Sequence, residues 1–203
     1  MSSLHFAATM QAGTPIGRLH LTDLAGQVVQ MPDDARLVHL QFRRFAGCPV
    51  CNLHLHSFAR RHTELADANI HEVVVFHSSA SDLQAHAAGL PFTLIADPDK
   101  QLYARFGVNS ALRALLHPRV WKPIYAAIVF AVREIAGGRA RVPSVWPAGG
   151  RWGLPADFLV GTDGRLIAAK YGQHANDHWS VDDVLALALT RPAPLQTPLS
   201  RHR

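Results

Sequence analysis

Two cysteines three residues apart, Cys48-Pro49-Val50-Cys51, stand where the hydrophobic period of the chain changes, and that junction constrains the fold more than any other feature. Upstream, Leu37-Val38-His39-Leu40-Gln41-Phe42 alternates as a strand does. Downstream, Leu53, Leu55, Phe58, Ala59 and Leu65 recur at helical spacing. The cysteines therefore lie in a tight strand-to-helix turn after Gly47. At the first turn of a helix the free backbone N–H groups and the positive end of the dipole favour a thiolate. Pro49 suits the first helical position, having no N–H to leave unpaired. Three-residue spacing lets the Cys51 sulfur close on Cys48 without unwinding the helix. Cys48 thus reads as the more acidic, attacking thiol and Cys51 as its resolving partner.

Two other uses of such a pair compete with this reading. Buried cysteines can serve as small core residues, although a Cys-x-x-Cys between strand and helix in a βαβ unit is a strong redox signal. Zinc is the second alternative, with His54 and His56 as further ligands. On a helix turning about 100° per residue these two project roughly 160° apart and cannot converge on one ion with both sulfurs. No second Cys-x-x-Cys exists, so neither a metal nor any other cofactor is expected.

The rest of the chain alternates in the same way. Leu19 to Leu21 and Val28 to Met31, joined by Asp23-Leu24-Ala25-Gly26, predict an N-terminal β-hairpin. Val73-Val74-Val75-Phe76 is apolar on both faces, as in a buried strand parallel to the first. Ser81-Asp82 opens a helix ending at Gly89; Phe92 to Ala96 predicts a strand, and Asp97-Pro98-Asp99 caps a helix to about Phe106. Residues 109–153 break the pattern with two apolar helices, Ala111 to Leu116 and Ile124 to Ile135, and a Gly/Pro/Trp-rich loop. We read them as an insertion. Phe158 to Val160 and Leu166 to Ala169, around Asp163-Gly164, form a second hairpin, and Ser180 caps a last helix, Val181 to Leu189. The expected architecture is α/β: a central mixed β-sheet covered by helices on both faces, in the order of a thioredoxin-like fold. Residues 1–190 form one domain with insertion 109–153, and 191–203 a flexible C-terminal tail.

A net charge of +5 raises the question of an anionic partner. The arginines occur as separated pairs, Arg43-Arg44, Arg60-Arg61 and Arg139 with Arg141, without the run or stripe that nucleic-acid binding requires. The longest apolar stretch, Ile124 to Val132, falls short of the roughly 20 residues needed to cross a bilayer. Met1 to Gly17 lacks the basic and apolar regions of a secretory signal. A cytoplasmic location is expected, with neither nucleic acid nor membrane as partner; two cysteines kept reduced there point to catalysis or sensing.

Two further elements bear on the pair. Arg43 and Arg44 end the strand before it, and strand alternation lets only one of them face the cysteines; an arginine beside the sulfur would lower its pKa and orient a peroxide oxygen. Pro155 precedes the strand Phe158 to Val160. It is either a cis proline presented to the active site or a turn residue.

The segment Phe42-Arg43-Arg44-Phe45-Ala46-Gly47-Cys48-Pro49-Val50-Cys51, with Gly149-Gly150-Arg151-Trp152-Gly153 leading to Phe158-Leu159-Val160-Gly161-Thr162-Asp163-Gly164, resembles the peroxiredoxin-like branch of the alkyl hydroperoxide reductase/thiol-specific antioxidant (AhpC/TSA) family. The resemblance runs from about Gly13 to Leu189. It implies a thioredoxin-like fold and thiol-dependent peroxide reduction, with Cys48 peroxidatic, Cys51 resolving and Arg44 and Pro155 as further site residues. Two departures stand out. The Pro and Thr/Ser of the family's Pro-x-x-x-Thr/Ser-x-x-Cys motif are replaced by Gln41 and Phe45, and the arginine expected before the later strand is replaced by Pro155. The implied partners are a peroxide or disulfide substrate and an external dithiol reductant of thioredoxin or glutathione type. A thioredoxin-like disulfide oxidoreductase and a redox-responsive binding protein remain alternatives. In the latter, Trp121, Trp146, Trp152, Tyr125 and Phe130 of the insertion could line a pocket or a homodimer interface.

Overall fold

A computed structural model describes residues 8–87, 89–108, 121–138, 150 and 153–190. Strands β1 (Leu19–Thr22) and β2 (Val28–Met31) form the N-terminal hairpin. The main sheet holds β3 (Leu37–Arg43), β4 (Ile70–Phe76), β5 (Thr93–Ala96), β6 (Ala156–Val160) and β7 (Leu166–Tyr171), in the order β5-β4-β3-β6-β7. β3, β4 and β5 run parallel, and β6 and β7 are antiparallel additions. This is the mixed sheet of the thioredoxin-like fold.

Helices α1 (Pro49–Arg60) and α2 (His62–Asp67) follow β3; the expected single helix is broken at Arg61, where φ is −114°. α3 (Ala80–Ala87) follows β4 and α4 (Gln101–Arg105) follows β5. The Asp97 carboxylate accepts hydrogen bonds from the N–H groups of Gln101, Leu102 and Tyr103, so it caps α4 as expected. From the insertion, α5 (Trp121–Ala136) is described and packs on α1. The expected helix Ala111 to Leu116, Trp146, Trp152 and the tail 191–203 lie outside the described residues. α6 (Val181–Leu189) closes the chain with a capping box: Ser180 Oγ accepts from the Asp183 N–H, and the Asp183 carboxylate accepts from the Ser180 N–H. Among the described residues no helix is long and apolar enough to cross a membrane.

The two faces of the sheet differ in chemistry. One presents Val38, Leu40, Phe42, Val73, Val75, Phe158 and Val160 to the hairpin and to Tyr103 and Phe106 around α4. Each fully buried large side chain there contributes about 1.5–3 kcal/mol. The other face lies under α1, α3 and α6. It is apolar at its ends, around Leu37, Phe58 and Trp179 and around Val74, Phe76 and Leu83. Between those ends runs a stripe of buried polar residues: His39, Gln41 and Arg43 from alternate positions of β3, Glu72 of β4 and Asp157 of β6. That stripe leads up the sheet to the cysteine helix.

Candidate active site

The strand-to-helix turn forms as the sequence predicts. Gly47 takes φ +78°, a conformation that favours glycine, and turns the chain from β3 into α1. Cys48 becomes the N-cap, Pro49 the first helical residue, and the Cys51 N–H points to Cys48 Sγ at 3.5 Å. Both thiols are free and buried. Arg44 Nη2 donates to Cys48 Sγ at 3.0 Å, while its guanidinium carbon lies 5.8 Å from the centre of the Phe45 ring. Arg44 is therefore a neighbour of the sulfur, as expected.

The two thiols share a hydrogen bond. That bond, donated by Cys48, lowers Cys51 to about 6 against the effect of burial, and the Arg44 guanidinium lowers it further. Burial, then the hydrogen bond to Cys51, pushes Cys48 well up. The pair therefore holds a single negative charge shared between the two sulfurs, with Arg44 beside it. Proximity of two sulfurs decides it: a close pair beside one guanidinium stabilises a single negative charge, and the retained proton bridges the two.

Arg43 is no surface residue. Alternation turns it to the opposite side from Arg44, yet it is fully buried. Its Nη2 pairs with Asp157 Oδ1 at 2.7 Å, meets His54 Nε2 at 3.1 Å and also donates to Gln41 Oε1. Gln41 in turn donates to Glu72, and His39 bridges Glu72 at 2.9 Å and Asp157 at 3.4 Å. Burial opposes charge on His39, but Glu72 and Asp157 raise it to about 9. Asp157, despite its burial, is held well below the carboxylate range by Arg43 and His39. Burial and the neighbouring His178 keep His54 neutral; its ring lies 3.5 Å from that of His178. His56 projects elsewhere, edge-on to Phe130 at 5.1 Å, so the divergence of the two histidines is real.

Gln41 and Phe45, at the positions of the absent peroxide-binding motif, have other work. Gln41 belongs to the buried network, and Phe45 lines an apolar wall with Val50, Ala127, Leu53 and Ile124 around the sulfurs.

Pro155 enters β6 at the sulfur-bearing end of the sheet, but its peptide bond is trans; the cis bond among the described residues is Met31–Pro32. Pro155 instead packs against Gly172, whose N–H bonds to its carbonyl at 2.8 Å. The segment meets the site two residues earlier. A Cβ on Gly153 would lie 3.0 Å from His77 Nε2 and 3.4 Å from Arg44 Cγ. His77, buried at the end of β4, is a site neighbour that sequence reading missed.

The family assignment follows from comparison with known proteins. Residues 57–174 match the sequence model of the AhpC/TSA antioxidant enzymes. The chain belongs to the AhpC/TSA family. The matched span begins at Ser57, beyond both cysteines, so it carries the fold of this AhpC/TSA protein and leaves its dithiol to be argued from geometry. No curated protein matches the chain. Among solved structures it is similar to peroxidoxin BcpB from Mycobacterium tuberculosis, at 16% identity and TM-score 0.61, over 91% of this chain and 99% of that one. A thiol peroxidase from Chromobacterium violaceum aligns at 14% identity and TM-score 0.58, over 91% and 90%. A putative thiol:disulfide interchange protein DsbE from Chlorobium tepidum aligns at 16% identity and TM-score 0.54, over 89% and 99%. This AhpC/TSA protein is a thiol-dependent redox protein of the peroxiredoxin and thioredoxin-like type.

Proposed function

We propose that this protein is a thiol peroxidase that cycles Cys48 and Cys51 between dithiol and disulfide. The observation that carries the reading is the pair itself: two free thiols at the N-terminus of α1, one accepting a hydrogen bond from Arg44 Nη2 at 3.0 Å. Passing the Cys48 proton to Cys51 along their shared hydrogen bond places a thiolate directly against Arg44. That thiolate attacks the terminal oxygen of a hydroperoxide. The O–O bond breaks, Cys48 becomes a sulfenic acid, and the leaving alkoxide or hydroxide takes a proton. Arg44, against the Cys48 sulfur, is the donor for the charge that develops on oxygen, in place of the hydroxyl absent at Phe45. Cys51 then attacks Cys48 Sγ, water leaves and the disulfide forms; an external thiol returns two electrons.

Mass spectrometry after one equivalent of hydrogen peroxide tests this. The parent should carry a Cys48–Cys51 disulfide, and Cys51→Ser a sulfenic acid on Cys48. Cys48 left reduced in both proteins contradicts it. The second reading, a disulfide oxidoreductase, draws on the Cys51 thiolate, a good leaving group in thiol-disulfide exchange. Reduction of insulin by the parent and not by Cys48→Ser would favour it.

A further inference from the structure

The reactive sulfurs are sealed from solvent: Cys48 exposes none of its surface and Cys51 3%. Among the described residues the cover over them comes from α5. Ala127, itself fully buried, and Ile124 pack with Cys48, Cys51, Phe45, Val50 and Leu53. The opposite side of α5 faces solvent, with Tyr125 72% and Val132 59% exposed. The described contacts of α5 with the body thus follow one narrow seam along α1, continued by Phe130 against His56. Among its described side chains Ala127 alone is fully buried, and an element seated on one neighbouring helix can open locally while the sheet stays folded.

We propose that α5 is a size filter over the dithiol, and that Ile124 and Ala127 are its specificity-determining residues: small hydroperoxides and small thiols pass, whereas polypeptide disulfides and protein dithiols do not. The physiological reductant is then a low-molecular-weight thiol of the glutathione class rather than a thioredoxin-type protein. This rests on the dithiol cycle proposed above. A small thiolate reaching Cys48 Sγ breaks the S–S bond, leaves Cys48 in a mixed disulfide and releases Cys51 as thiolate. A second thiolate attacks the sulfur of the bound small thiol, releases the small-molecule disulfide and returns Cys48 to the thiolate, which takes a proton from solvent. Two small thiols thereby supply two electrons. A tripeptide-sized thiol requires a smaller opening beside Ile124 and Ala127 than a folded protein does. A protein, whose thiol is embedded in its own surface, must displace the whole helix.

The test compares reductants on pre-oxidised full-length protein, using glutathione and a reduced thioredoxin as probes and following recovery of free thiols. Ala127→Glu buries a charge in an apolar contact and lifts α5; Ile124→Ala loosens the same seam mildly, and Tyr125→Ser alters the outer side as a control. Lifting α5 should accelerate reduction by thioredoxin about tenfold or more, as when local opening limits access, and should leave the glutathione rate within about threefold. Tyr125→Ser should match the parent. Equal acceleration of both reductants, or a thioredoxin rate in the parent already equal to that in the lifted variants, overturns the filter. Independently of any variant, N-ethylmaleimide should alkylate the reduced parent well ahead of a polyethylene-glycol maleimide carrying the same reactive group; equal labelling overturns it as well. If hydrogen peroxide fails to form the disulfide, the peroxidase reading falls. Diamide, a general dithiol oxidant, then supplies the oxidised protein and the reductant comparison still decides the filter.

Discussion

Asp157→Asn probes the buried network beneath α1 most sharply. The substitution keeps the shape of the side chain, and its amide oxygen can still accept the Trp179 N–H that now bonds to Asp157 Oδ2 at 3.2 Å. It removes the anion 2.7 Å from the fully buried Arg43 guanidinium and one of the two anions facing His39. Breaking a buried ion pair from one side costs about 3–5 kcal/mol because the remaining charge is left uncompensated, a large share of the 5–15 kcal/mol typical of a domain. His39 provides the pH signature. Its displacement from 6.5 to about 9 corresponds to about 3 kcal/mol of stability. Because the folded-state pKa is raised, that stability is complete below about pH 6.5 and is lost as pH rises through about 9. In Asp157→Asn, with Glu72 alone facing His39, the alkaline loss should still begin near pH 6.5 but end at lower pH and be smaller. Adding Arg43→Met removes the stranded cation, so the double variant should be more stable than Asp157→Asn alone. Urea unfolding of the reduced proteins between pH 6 and 10 measures all three quantities. A cost below about 1 kcal/mol for Asp157→Asn, with the pH profile of the parent retained, would refute the reasoning.

Three further outcomes are expected. Arg44→Met should slow oxidation of Cys48 by hydrogen peroxide about 100-fold, the usual cost of losing one donor to developing charge, with Arg44→Lys recovering part of the loss in stopped-flow assays. Gly172→Ala should destabilise the fold by about 2 kcal/mol or more: its Cβ would lie 2.6 Å from the Asp177 carbonyl oxygen and 2.7 Å from the Pro155 ring, atoms that cannot swing away. Thiolate absorbance of the reduced protein should rise as pH increases through about 6, where the cysteine pair loses its first proton, instead of near 8.5 as for a free thiol.

The elements were legible wherever local pattern and tertiary burial agree. The β-branched run of β4, the Ser180 cap of α6 and the period change around Cys48 each follow from adjacent residues, and the structure has them in place. The polar stripe was not legible. His39, Gln41 and Arg43 alternate with apolar residues as on a strand with one wet face, yet that face is covered by α1. The charges are satisfied across the sheet, Arg43 by Asp157 from a strand 114 positions away, a pairing no local window contains. The sharing of charge between the sulfurs was not legible either: helix position speaks only of Cys48, whereas the hydrogen bond between the two thiols couples their titration. Pro155 stands at the entry to β6 as the sequence suggests, and only three-dimensional packing shows that Gly153 lies close enough to Arg44 for an added Cβ to sit 3.4 Å from its Cγ.

Stopped-flow oxidation of the reduced protein by hydrogen peroxide, followed at several pH values against a free thiol of matched pKa, tests the central claim most directly. A thiolate activated by Arg44 gives a second-order rate for Cys48 well above that of the free thiol, ending in the Cys48–Cys51 disulfide. A Cys48 that reacts no faster than the free thiol contradicts it.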